Sequence, residues 1–141
     1  MKHFIVSALL LSASAVHAHG GATGAATTRV ATSTADDVDF KPSIKSADGK
    51  HQSHSRALPS PHGMTNVHMG VWKAEPGEYR HPGSESGETF VVTHGRGKIV
   101  IAGAGEHQLM PGTIITIPPK TASALTVDQP LRKFSTAIQP R

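Results

Sequence analysis

The chain has 141 residues, 14 Lys and Arg against 10 Asp and Glu, a formal net charge of +4 and no cysteine. Its length suits one domain of modest core, and the lack of cysteine excludes a disulfide framework, a thiolate nucleophile and thiolate metal ligands. The basic residues are spread along the sequence and aromatic residues make up only 4%, a pattern that argues against a nucleic-acid-binding surface.

Residues 1–18 read as an export signal. Met1-Lys2-His3 gives a basic start, Phe4 to Leu11 an apolar run, and Val16-His17-Ala18 a small-residue cleavage pattern. Cleavage after Ala18 leaves His19 at the N-terminus. The apolar run is well short of the ~20 residues of a membrane-spanning helix, so the expected location is periplasmic or secreted, with no membrane contact after cleavage.

Residues 19–62 are rich in Gly, Ala, Ser, Thr and Pro and show no sustained apolar period, which predicts a flexible arm or linker. A short edge strand is expected at 38–41, around Val38-Asp39-Phe40, because Pro42 keeps it from continuing as a central strand. Ser46-Ala47-Asp48-Gly49 reads as a turn.

Residues 63–141 change texture. Short β-type runs cover Asn66 to Ala74, Thr89 to Thr93, Lys98 to Ala102, His107 to Met110, Thr113 to Ile117, Ala124 to Val127 and Leu131 to Ile138. Between them stand Pro76-Gly77, Gly95-Arg96-Gly97, Gly103-Ala104-Gly105-Glu106, Pro111-Gly112 and Pro118-Pro119, all turn signals. This spacing predicts an all-β sandwich or barrel without a helix of useful length.

One strand carries the first sign of a site. In Glu88 to His94 the period of two puts Glu88, Phe90, Val92 and His94 on one face, so if Phe90 and Val92 face the interior, Glu88 does too. An inward carboxylate is costly unless it is ion-paired, hydrogen-bonded or bound to a metal. By the same parity His107 shares a face with Leu109 and reads as a satisfied interior histidine, His94 as a strand-end residue, and Trp72 as part of the barrel wall.

The stretch Gly70-Val71-Trp72, then Pro76-Gly77-Glu78-Tyr79-Arg80, then Glu88 and the run to Gly95, resembles the first sequence motif of cupins. Gly105, then Pro111-Gly112-Thr113 and Ile117-Pro118-Pro119, echo the second. With its Gly-x-Trp opening and the step Leu131-Arg132-Lys133, the chain is similar to the small single-domain cupins of the ureidoglycine aminohydrolase and ethanolamine-utilisation type. The resemblance implies a cupin double-stranded β-helix (jelly-roll) barrel, and a homodimer paired through edge strands.

Metal-binding cupins use two histidines and a glutamate from the first motif and a histidine from the second. Here the corresponding positions fall on His81, Gly83, Glu88 and Ser123, so two of four ligand types remain. His62 and His68 are the nearest histidines outside the motifs. Two donors are too few for a tight first-row metal site.

The sequence offers no phosphate loop, no nucleophile elbow and no carboxylate pair spaced for glycoside hydrolysis. The function expected is therefore an exported monocupin that binds a small polar or anionic molecule in its barrel, with Glu88, His81 and Arg80 as the polar lining. Glu88 is a ligand or general base, or else is held by Arg80 or by backbone amides. The first alternative is a metal-dependent cupin enzyme, aminohydrolase- or isomerase-like, with one divalent transition metal on His81 and Glu88. The second is a periplasmic copper-binding protein that uses the arm, through His19, His51, His54, His62, Met64, His68 and Met69.

Overall fold

The structure is a computed structural model that describes residues 39–60 and 64–140. The expected export signal, most of the expected arm, and His19 and His62 lie outside the described residues. Eight strands follow in order: β1 (Lys41–Lys45), β2 (Gln52–Leu58), β3 (Val67–Ala74), β4 (Gly77–His81), β5 (Glu88–Ile101), β6 (Gly105–Leu109), β7 (Ile114–Ile117) and β8 (Ser123–Ile138). The hydrogen-bonded path is β1-β2-β3-β8-β5-β6, with β4 on β8 and β7 on β5, and every pairing is antiparallel. Among the described residues there is no helix, and hence none long and apolar enough to cross a membrane.

The two long strands build the barrel. β5 and β8 pair from Thr89↔Thr136 to Ile101↔Ser123, and each half of this ribbon recruits different partners. The C-terminal half of β8 carries β3 and its N-terminal half carries β4. In the same way, the first half of β5 carries β7 and the second half β6. The halves close on one another, since Trp72 of β3 meets Tyr79 of β4 edge-on at 5.5 Å and 90° although these strands are not sheet neighbours. Phe90, Val92, Ile99, Leu109, Ile117, Leu125, Val127 and Leu131 fill the space between them. Trp72 thus takes the wall position expected of it.

Two sequence signals are overridden. Gly95-Arg96-Gly97, read as a turn, lies inside β5, and Asp128-Gln129-Pro130, read as a gap, lies inside β8. The reason is the bend of the ribbon: register shifts between Val92 and Gly97 place bulges there. Gly95 has φ +86°, and a Cβ on it would run into the Pro130 carbonyl oxygen, so only glycine lets the bent strands approach this closely. The bulges also break the period of two. His94 is therefore exposed opposite Arg132 instead of following Glu88 and Phe90 inward. His107, expected inside, is exposed as well.

The region expected to be an arm holds two strands. An edge strand is present, but as β1 it runs Lys41–Lys45, with Pro42 inside it, and meets the expected 38–41 only at Lys41; β2 joins it to β3 through pairs from His54↔Lys73 to Leu58↔Met69. The β1–β2 register slips between Pro42 and Lys45, where proline cannot donate. Ser53 repairs the ladder. Its fully buried hydroxyl accepts from the Ile44 amide at 2.9 Å and donates to the Ile44 carbonyl at 2.8 Å. The Ser46–Gly49 turn closes the hairpin, and the Ala47 amide donates to the Glu78 carbonyl of β4 at 2.7 Å. The hairpin is thereby tied to both layers. Ser53→Ala leaves both Ile44 backbone groups without these partners, and is expected to cost about 1–3 kcal/mol, seen as a loss of several degrees in thermal unfolding.

Candidate active site

Inside the barrel lies a cavity of about 390 Å³. Its walls come from Ser55 and Arg56 of β2, His68 and Trp72 of β3, Tyr79 and His81 of β4, Glu88 and Phe90 of β5, and Lys133 and Ser135 of β8, with Ser43 and Ile44 of β1 beside them. Two loops form the rim. Lys120 donates its amide to the Ser84 carbonyl at 2.7 Å, and Lys120 Nζ lies 3.2 Å from Glu85 Oε2, so the loops at 82–87 and 118–122 hold each other. A larger open groove of about 850 Å³ lies on the opposite face of β2, β3 and β8, bordered by His54, Lys73, His94 and Arg132.

Lys133 and Glu88 dominate the cavity's electrostatics. Lys133 Nζ donates to both carboxylate oxygens of Glu88, each at 2.7 Å. Sheet register explains the reach. Lys133 stands opposite Val92, and Ser135 opposite Phe90, so the lysine side chain must run along the sheet across Phe90 to meet Glu88. Accordingly, Nζ lies 4.2 Å from the centre of the Phe90 ring and 5.6 Å from that of Trp72. The ammonium thus has a carboxylate on one side and two aromatic rings around it, both favourable to a cation.

Burial pushes the Lys133 amine below its usual 10.5, and Glu88 opposes that shift without cancelling it. The Tyr79 phenol, which donates to the Glu75 carbonyl at 2.9 Å, is pushed above its usual value by burial.

The expected site residues separate in the structure. Glu88 lines the cavity, as the period of two predicts. His81, the last residue of β4, is at the rim with Nδ1 accepting from the Gly83 amide at 3.1 Å. Arg80 does not line the cavity: it is exposed and paired through Nε with Glu78 Oε1 at 2.6 Å. The strand alternation that turns Tyr79 inward turns Arg80 outward. The cation on Glu88 is accordingly Lys133 and not Arg80. His68, His81 and Glu88 all border the cavity, yet among the described residues no three His, Asp or Glu side chains stand together as a metal-binding group. Neither do His51, His54 and His68 of the expected copper set.

Lys133 escaped the sequence reading, although the signal was present. Leu131, Lys133 and Ser135 share a strand face, and Leu131 is a core residue. The parity argument applied to Glu88 would have turned this lysine inward too.

A metal does not fit the residues as arranged. Both Glu88 oxygens are engaged by an ammonium, and His81 commits one ring nitrogen to a backbone amide. A first-row ion needs three or four donors.

The ion pair sets a testable balance. Lys133→Met removes the cation and leaves the carboxylate behind, which costs about 3–5 kcal/mol for fully buried pairs; Glu88 is 28% exposed, so the expected loss is near the lower figure. Replacing both, as Glu88→Gln with Lys133→Met, is expected to recover most of it in chemical denaturation. The pH dependence has a defined sign. With the folded amine below 10.5, the unfolded chain holds more protons between the folded value and 10.5. Wild-type stability relative to the double variant should therefore rise with pH through that window; a fall there would contradict the arrangement.

Comparison with known proteins supports this architecture. The sequence model of the EutQ-like cupin domain matches residues 63–134, about half the chain. Among solved structures, the EutQ protein of Clostridium difficile superposes with a TM-score of 0.58 at 14% identity, over 68% of this chain and 75% of that one. A putative ethanolamine utilization protein EutQ from Salmonella typhimurium gives 0.56 at 12% identity, over 72% and 95%. Ectoine synthase from P. lautus gives 0.56 at 17%, over 63% and 65%. No curated protein matches the chain.

Proposed function

The chain belongs to the EutQ-like cupin family, and from that premise we propose that it is an exported monocupin binding a small polar or anionic molecule in its barrel without a metal. The observation that carries this reading is the Lys133–Glu88 pair within the 390 Å³ cavity. The inward carboxylate is neutralised by the chain's own ammonium, so the site's need for a cation is met internally. What remains for a ligand is a lining with Ser123 and Ser135 beside Trp72, bordered by Ser84, Ser86 and Thr121, whose hydroxyls already bond within the chain. A cavity of mixed aromatic and hydroxyl lining, with one charged pair at its side, suits a small molecule held by several hydrogen bonds.

Thermal-shift screening of the mature protein against short-chain hydroxy acids, oxo acids and polyols tests this. A ligand at about 100 times its Kd is expected to stabilise the fold by roughly 2.7 kcal/mol. The shift should disappear in Glu88→Gln with Lys133→Met. Metal analysis is the opposing arm: one equivalent of a transition metal in the purified wild type, lost in Glu88→Gln, would overturn the metal-free reading.

A further inference from the structure

Lys133 is unusual for a lysine in more than its pairing. Its side chain is only 12% exposed, its Nζ borders a cavity large enough for a small molecule, and a carboxylate touches it with both oxygens. An amine becomes a nucleophile when it sheds a proton to a neighbouring base in a water-poor pocket. Glu88 is that base, at 2.7 Å. The aromatic faces of Phe90 and Trp72 limit the water around Nζ, which favours an imine over its hydrolysis. Ser135 lies two residues along β8 from Lys133, so strand alternation gives them one face, and Ser123 stands opposite His81 at the rim.

We propose that Lys133 forms a reversible imine with a small hydroxylated aldehyde or ketone bound in the barrel, with Glu88 moving the protons. The proposal rests on the reading of the cavity as a ligand site. In the first step Glu88 takes a proton from the Lys133 ammonium, and the free Nζ electron pair attacks the carbonyl carbon. The carbonyl π electrons move to its oxygen, a proton then passes from the newly bonded nitrogen to that oxygen, and a neutral carbinolamine with one N–H forms. Glu88 returns its proton to the carbinolamine hydroxyl, the C–O bond breaks, and water leaves. The product iminium carries one N–H and one positive charge, and it keeps its carboxylate counterion. Ammonium plus carbonyl thus becomes iminium plus water, with no net proton change and no oxidant or reductant. Ser123 and Ser135 of the lining hold the ligand's own hydroxyl groups.

Reductive trapping tests the proposal in the wild-type mature protein. Erythrulose is added at neutral pH with cyanoborohydride, and the adduct is mapped by peptide mass spectrometry. The expected result is a single reduced adduct on Lys133, formed about a hundredfold faster than on Lys50 and Lys120, whose carboxylate partners Asp48 and Glu85 are exposed to water. Glu88→Gln, with its fold checked by circular dichroism, should lower trapping about a hundredfold. Erythritol, which has the hydroxyls but no carbonyl, separates the two readings by saturation-transfer NMR. Erythritol binding without any adduct at Lys133 overturns the imine and leaves the ligand site standing. No binding of erythritol and no adduct overturns both, and adducts spread evenly over surface lysines overturn the imine.

Discussion

The structure depends on what surrounds one ammonium group. A lysine inside a small β-barrel has lost most of its water, and the loss is made good by a carboxylate on one side and the faces of two rings on another. Neither partner would do alone. Two rings without the carboxylate leave a bare charge, and the carboxylate without the lysine is an inward anion with nothing to neutralise it. Each group makes the burial of the other tolerable, which is why two charged side chains sit where a barrel of this size would otherwise hold apolar packing. The fold brings them together by geometry: Lys133 and Glu88 lie four residues out of register on neighbouring strands, the span a lysine side chain crosses when it lies flat along a sheet.

Much of this arrangement was legible in the sequence. Alternation in Glu88 to Val92 identified the inward carboxylate, and the spacing of Gly and Pro predicted a closed β-fold. Two kinds of information were not local. Gly95 and Pro130 are turn residues by any short-range reading, and only their meeting across the β5–β8 ribbon converts them from strand ends into a bend. The hairpin of β1 and β2 has little apolar periodicity because its ladder is completed by a serine hydroxyl and its turn is pinned to another strand. A segment that folds through such contacts has the composition of a linker.

Arg80 and Lys133 show how parity decides identity. Both are cations, and sequence logic points to Arg80, which lies in the same motif as Glu88. Strand alternation places one guanidinium on the surface beside Glu78 and one ammonium in the interior. Adjacent residues on a strand share almost no environment, whereas residues 45 positions apart can share a proton.

The hairpin has a further consequence. Residues 41–58 lie wholly before the stretch that matches the family, yet Ser43, Ile44, Ser55 and Arg56 close one side of the chamber. A change in this hairpin would reshape the chamber's wall without altering the Lys133–Glu88 pair, so the room open to a guest and the charges that meet it are set by separate stretches of the chain.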